Sequence, residues 1–232
     1  RDGGFRGIII KLGKSFNNLI YTGASILDAN LSKFAYLKSI KDLEFFIGIP
    51  GSIGGAVKMN AGCYGCETKD VLKEILIIKK NGSKKILKNK DLDFKYRKSN
   101  LSDNDIVTSA VFKANCGEKE EIELKMSEIK FFRKNSQPIE TKTGGSTFKN
   151  PKKQFAAKLI DNSDCKGLIY GDAIVSNKHS NFLVNLGNAT AKDNLDATTE
   201  VAFKDFPEIT SAIPESPFLL AISDNFPVIE RF

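Results

Sequence analysis

Histidine occurs once in the 232 residues, as His179, and cysteine four times, as Cys63, Cys66, Cys116 and Cys165. No Ser-His-Asp arrangement competes for a catalytic role, and His179, in SNKHSNFLVN, reads as a satisfied structural histidine rather than a base. A lone C-x-x-C at 63 and 66 falls short of the four ligands that structural zinc takes at matched spacing, so no metal is expected. Unpaired thiols fit a reducing compartment. Long apolar runs are missing too. None approaches the ~18 residues of a membrane span, and no basic start leads into an apolar stretch of the secretory kind. The expectation is a cytoplasmic protein with no membrane partner. Acidic surplus is also absent, since the formal net charge is +7. Residues 1 to 116 carry 20 Lys+Arg against 11 Asp+Glu, and residues 117 to 232 carry 15 against 17. The lysines between Lys69 and Lys98 alternate with apolar residues and are not joined by exposed aromatics, so nucleic acid is not expected as a partner. A solvated sheet face that steers anionic small molecules is the better account. The chain is long enough for one large domain or two modest ones, each with its own core.

Glycine is plentiful in one place. Residues 48 to 65 read GIPGSIGGAVKMNAGCYG, where Gly48, Gly51, Gly54, Gly55, Gly62 and Gly65 can supply positive φ or admit a close neighbour, and Pro50 fixes the turn between them. Ser52 stands where a short helix, Ile53 to Met59, would begin. Such a helix start offers unpaired N–H groups and a positive dipole end to a phosphate or pyrophosphate. The competing account is a tight loop and capped helix that serve only packing.

The remaining elements follow from periodicity and turn chemistry. Gly7 to Leu12 and Asn17 to Ala24 read as strands. Ser25 is placed to cap a helix from Ile26 to Leu37, with Ile26, Leu27, Leu31, Phe34, Ala35 and Leu37 as its apolar stripe. Val71 to Lys79 and Ser83 to Leu87 form a hairpin about Asn81-Gly82, the preferred type I′ pair. Asp105 to Ala114 is a further strand. Glu118 to Lys134 is an amphipathic helix with acids in its first turn and bases in its last, burying Ile122, Leu124, Met126, Ile129 and Phe132. Beyond it, Phe155 to Asp161 reads as a helix, Asp172 to Ser176 and Phe182 to Val184 as strands, and Thr190 as the cap of another helix.

Three strings carry a resemblance: GIPGSIGGAVKMNAGCYG, Tyr96-Arg97-x-Ser99, and GSTFKNP from Gly145 to Pro151. Together they resemble the UDP-N-acetylenolpyruvoylglucosamine reductase family, whose members act in peptidoglycan precursor synthesis. The resemblance implies an α+β fold, with a vanillyl-alcohol-oxidase-type (PCMH-like) FAD-binding domain plus a smaller α+β substrate-binding domain. It implies FAD as cofactor, NADPH as co-substrate and a UDP-sugar substrate, UDP-N-acetylglucosamine enolpyruvate. Gly48, Pro50, Gly51, Ser52, Gly54, Gly55, Asn60, Ala61 and Gly65 would line the cofactor. Arg97 would grip the substrate carboxylate and Ser146 would be the proton donor, with Tyr96, Lys149 and Asn150 placing the substrate. The family's catalytic glutamate has its nearest counterpart in Glu215, with Glu208 as the other option. From about Asn194 the resemblance ends, and residues 207–232 read as a divergent tail broken by Pro207, Pro214, Pro217 and Pro227. Asp2 to Gly7 resembles the stretch that follows a second phosphate loop of the family, Gly-x-Gly-Ser-Asn-Leu, so the N-terminal flavin lobe is expected to be absent from this chain. The implied division is 1–116 for FAD, 117–140 as a connecting helix and 141–206 for substrate. The alternatives are a non-catalytic remnant of the family and another FAD oxidoreductase of the same fold. Oligomeric state is left open.

Overall fold

The computed structural model describes residues 19–204. Expectations on Gly7 to Leu12, on Asp2 to Gly7, on Glu208 and Glu215 and on the divergent tail therefore lie outside the described residues. The chain divides into two compact units, one running to Phe132 and the other from Arg133.

The first unit is built on an antiparallel sheet of β1 (Leu19–Gly23), β5 (Leu72–Ile78), β6 (Lys84–Lys88) and β7 (Ile106–Lys113), in the order β1-β7-β5-β6. Helices α1 (Asp28–Leu37), α2 (Ile53–Met59) and α3 (Thr68–Val71) and the short pairs β2 (Ile40–Lys41) with β8 (Asn115–Cys116) and β3 (Gly62–Cys63) with β4 (Cys66–Glu67) complete it. Every second residue of β5 turns inward: Ile75 and Ile77 join Ile20, Ala110 and Phe112 of the sheet against Leu31, Ala35, Ile53 and Val57 of the helices. A 3-10 turn at Glu44–Gly48 places Phe46 under that sheet, its ring edge-on to Phe112 at 5.5 Å. This burial, at ~25 cal/mol per Å² of apolar surface, is what holds the glycine-rich segment in place.

Three local expectations are corrected. Helix α1 starts at Asp28 with Leu27 as its N-cap, not after Ser25. The reason is tertiary: Leu27 bridges to Ser52, and the Asp28 N–H donates to the Gly51 carbonyl at 2.9 Å, which keeps Leu27 extended. Ile26 is buried but outside the helix, while Leu27 and Leu37 are exposed. The β5–β6 hairpin does not use a type I′ turn. Asn81 is not among the positive-φ residues, Gly82 has φ +80°, and the Gly82 N–H donates to Lys79. This is a three-residue loop with a glycine bulge, and the Asn81 carboxamide oxygen accepts from the Ser83 N–H and Oγ. In helix α4 (Lys119–Ser136), Ile122, Met126 and Ile129 are buried against Ile47 as expected, but Leu124 and Phe132 are exposed.

The second unit carries an antiparallel sheet of β9 (Lys142–Ser146), β10 (Ile169–Tyr170), β11 (Ala173–Val175) and β12 (Phe182–Asn185), ordered β10-β11-β12-β9. Helices α5 (Ala156–Asn162) and α6 (Ala191–Phe203) cover it with Ala156, Ile160, Ala197 and Val201, which pack with Phe148, Val175 and Leu183. Thr190 caps α6 as expected: its Oγ1 accepts from the Asp193 N–H at 3.1 Å, and the Asp193 carboxylate accepts from the Thr190 N–H at 2.8 Å. Helix and antiparallel sheet are thus mixed in both units.

Candidate active site

In the first unit the glycine-rich segment is held by backbone. Helix α2 begins where expected, after Ser52, although the Ser52 side chain makes no cap bond. The first amides of α2 are spent on protein: Ile53 N–H donates to Ile26 O at 2.9 Å and Gly54 N–H to Ala24 O at 2.8 Å. They are therefore not the unpaired groups that the sequence suggested. Close packing explains several glycines. A Cβ on Gly54 would lie 3.1 Å from Ala24 Cβ, and one on Gly48 would lie 3.0 Å from Ile129 Cγ2. One on Gly62 would run into the Cys66 carbonyl. By contrast, a Cβ on Gly55 would meet nothing closer than Ser52 Oγ at 3.8 Å, and Gly65, at φ +83°, has nothing within 4 Å. These two positions are the open ones among the glycines of the segment.

Beneath Gly51 lies Asp28, fully buried, with neither carboxylate oxygen hydrogen-bonded. Burial alone raises its pKa from 3.8 to about 7. Its Oδ2 would be 3.0 Å from a Cβ on Gly51.

Arg97 is brought to the far end of the same segment. It sits in a tight turn closed by reciprocal bonds between Lys95 and Lys98, and its φ is +52°, in the left-handed region that a side chain occupies at a cost of about 1–2 kcal/mol. Its guanidinium donates to Gly62 O at 2.6 Å and to Asn60 O at 3.5 Å, lies 3.7 Å from a Glu67 oxygen and 4.9 Å from the centre of the Tyr96 ring. Asn60 is fully buried and ends α2 at φ +43°. Its Oδ1 accepts from Lys69 N–H, and its Nδ2 donates to Lys95 O and to Glu67. Ser99 of the same motif donates from Oγ to Lys58 O at 2.7 Å. Among the candidates in this unit, Arg97, Tyr96, Asn60 and the Gly62 carbonyl form one cluster.

A cleft of about 510 Å³ also lies in this unit, with Glu44, Tyr64, Cys66, Asp70, Lys125 and Phe132 among its walls. The Cys66 thiol is pushed up by burial, then by Asp70, Glu44 and Asp42. Tyr64 belongs to the glycine-rich string and Cys66 to the C-x-x-C, but nothing in the sequence marked Glu44, Asp70, Lys125 and Phe132 as their neighbours, because they converge from elements far apart in the chain.

In the second unit Ser146 ends β9 and is exposed. The pairing Phe182↔Ser146 shifts to Val184↔Thr143, so β9 carries an extra residue at Gly144-Gly145, with Gly145 at φ +94°. Such a bulge re-aims the residue beside it. Asn181 then clasps the following strand: its Oδ1 accepts from Phe148 N–H and its Nδ2 donates to Phe148 O, each at 2.9 Å, while its backbone carbonyl accepts from Thr147 N–H. Asn150 Oδ1 accepts from the Ala156 N–H at the start of α5. His179 stacks edge-on to Phe182 at 4.7 Å, and burial lowers its pKa. Its Nδ1 has no hydrogen-bond partner, so the ring is structural but not satisfied. Asn181 was not singled out from the sequence, although its place between His179 and the strand Phe182 to Val184 was the available signal.

Among the described residues no group of three or more His, Cys, Asp or Glu is arranged to hold a metal, and no helix is long and apolar enough to cross a membrane. A glycine-rich segment set against a turn arginine, with a bulged Gly-Ser strand in a second α+β unit, defines a protein of mixed α/β architecture with two motif-bearing units. Comparison with known proteins makes this specific. Residues 137–204 match the family described as UDP-N-acetylenolpyruvoylglucosamine reductase, C-terminal domain. A UDP-N-acetylenolpyruvoylglucosamine reductase of Rickettsia bellii is 45% identical over 215 residues, covering 90% of this chain and 71% of that protein. The protein of the same name from Rickettsia conorii is 46% identical over 199 residues, covering 83% of this chain and 68% of that one. The crystal structure of the Thermus caldophilus UDP-N-acetylenolpyruvylglucosamine reductase aligns with a TM-score of 0.76 at 41% identity, covering 81% of this chain and 69% of that one. The chain belongs to the UDP-N-acetylenolpyruvoylglucosamine reductase family, and it is shorter than these relatives.

Proposed function

We infer that this chain is an oxidoreductase that reduces the enolpyruvyl ether of UDP-N-acetylglucosamine enolpyruvate to UDP-N-acetylmuramate, a step of peptidoglycan precursor synthesis in the cytoplasm. Relatives at 45% identity that bear the reductase name support this reading over a non-catalytic remnant or another flavin oxidoreductase. The first unit is assigned the flavin, in a vanillyl-alcohol-oxidase-type domain, and the second the UDP-sugar. Bound FAD would supply the hydride chemistry, taking its electrons from NADPH. Gly51, Ser52, Gly55, Asn60, Ala61 and Gly65 are the residues assigned to hold it, with Gly55 and Gly65 as the open points of approach. Gly48, Pro50 and Gly54 shape the segment, two of them by close packing against Ile129 and Ala24.

Arg97 carries the reading. A guanidinium held by Gly62 and Asn60 at φ +52° is an arrangement that packing alone does not require, and strained backbone of this kind concentrates at functional sites. Its remaining N–H groups bind the substrate carboxylate and stabilise the negative charge that develops there during reduction. The Ser146 hydroxyl gives its proton to the α-carbon and recovers it through water. Tyr96, Lys149 and Asn150 position the substrate. Adding FAD to the purified protein and following NADPH oxidation with the enolpyruvyl substrate tests this. A yellow protein that turns over is expected, and a colourless, inert one would favour the remnant reading.

A further inference from the structure

Three groups meet at Glu67 that the sequence motifs treat separately. Tyr64 and Gly65, at φ +52° and +83°, make a type I′ turn between β3 and β4, and this register sets Glu67 directly opposite Gly62. The missing side chain at Gly62 is what lets Glu67 close in, since a Cβ there would lie 2.8 Å from Glu67 Cγ and 2.9 Å from its Cα. The Asp70 carboxylate accepts the Glu67 N–H at 2.8 Å and fixes its backbone. From this anchored position one carboxylate reaches three partners: Asn60 Nδ2 at 3.1 Å, Lys69 Nζ at 2.5 Å and Arg97 at 3.7 Å. Asn60 in turn holds Lys95, the first residue of the turn in which Arg97 sits.

We propose that Glu67 is a positioning residue, whose carboxylate orients the Arg97 guanidinium and holds the strained turn that presents it to the substrate carboxylate. This rests on the role assigned to Arg97 above. In this role Glu67 acts through Arg97 and not on the reacting atoms. Its side chain is only 22% exposed, and Arg97's 29%, so the pair is shielded enough for the charge to matter without being sealed from ligand. The partner carbonyls of Gly62 and Asn60 fix where the guanidinium lies. The Glu67 charge fixes which way its edge turns, because Glu67 is the anionic group that the guanidinium meets among the described residues.

The test compares Glu67→Gln, Glu67→Asp and Glu67→Ala with Arg97→Ala in the full chain. Glutamine keeps an oxygen for Asn60 but loses the ionic link, so the thermal midpoint should hold while kcat for the enolpyruvyl substrate falls about tenfold, and alanine should lower it about a hundredfold. Flavin reduction by NADPH, measured by stopped flow, should be unchanged in Glu67→Gln, and Glu67→Asp should recover part of the loss. Independently of turnover, the Arg97 Nη–H resonances should exchange faster with water in Glu67→Gln, since Nη1 is the atom that faces the carboxylate. Wild-type kcat and unchanged Nη–H exchange in Glu67→Gln, with Arg97→Ala inactive, would overturn the proposal and leave the reductase reading intact. An active Arg97→Ala would remove both.

Discussion

The two glycine-bearing segments, one in each unit, use the residue for opposite reasons. In the segment 48 to 65 most glycines are demanded by neighbours: Ala24 crowds Gly54, Ile129 crowds Gly48, and the Cys66 carbonyl occupies the place where a side chain on Gly62 would go. In β9 the space at Gly145 is empty within 4 Å, and glycine is demanded by the backbone itself, at φ +94°. The first arrangement locks a rigid frame around Arg97. The second kinks an exposed strand so that Ser146 stands at its end. On the proposed roles, the group that holds a charge in place is embedded, whereas the group that delivers a proton is left open to water.

Substitutions at the two reactive groups should separate these designs most clearly. On the proposed role of Arg97, Arg97→Ala removes binding of the substrate carboxylate in both ground and transition states, so KM should rise while kcat falls by about 10²–10³. Ser146→Ala removes only the proton donor, so kcat should fall by about 10²–10⁴ with KM nearly unchanged. Steady-state kinetics on both variants checks the split. The same KM effect in the two would deny the division of labour.

The embedded frame also carries a buried charge. Asp28 has a folded-state pKa of about 7 against an ordinary 3.8, so the fold binds its proton more tightly than the unfolded chain does. Its contribution to stability is therefore complete below about pH 4 and is lost as pH rises through about 7, a swing of up to about 4 kcal/mol. Asp28→Asn should remove that slope and raise the melting temperature at pH 8, with little change at pH 4. Denaturation across this range measures it, and a wild-type protein that gains stability between pH 4 and 7 from this site would contradict the assignment.

Gly62→Ala should cost about 2–3 kcal/mol, because the added methyl meets main chain that cannot yield. Gly145→Ala meets open space and should cost only the left-handed backbone penalty, about 1–2 kcal/mol. Thermal melts of the two variants give the ranking. A reversal would mean that β9, not the glycine-rich segment, is the tightly packed one.

The contrast also explains what could be read from the chain. Hydrophobic period gave the positions of β5, β7, α4 and β12 to within a residue or two, because each buries a stripe set by its own local sequence, and the turn ending at Ser52 gave that of α2. The starts and turns that failed were settled from elsewhere in the fold. Leu27 is kept extended by Ser52, and Gly82 takes the bulge position that Asn81-Gly82 did not specify. Leu124 and Phe132 look buried by period, yet both are exposed, while Ile122, Met126 and Ile129 of that helix are buried against Ile47. For the site, the motif strings picked out Arg97 and Ser146, but Glu67 and Asn181 make contacts with residues up to 34 positions away, which no local pattern encodes.

Helix caps give the finest comparison, again one per unit. Ser52 and Thr190 were equally legible as caps, and both occupy the N-cap position in extended backbone. Only Thr190 uses its side chain, accepting from Asp193 N–H at 3.1 Å, whereas the first amides of α2 are satisfied by Ala24 and Ile26 carbonyls. Thr190→Ala should therefore destabilise the second unit by about 1 kcal/mol, while Ser52→Ala should leave the stability of the first within a few tenths. Hydrogen exchange of the α2 and α6 amides measures each unit separately. Equal losses at the two helices would mean that the backbone bonds at α2 are not what caps it.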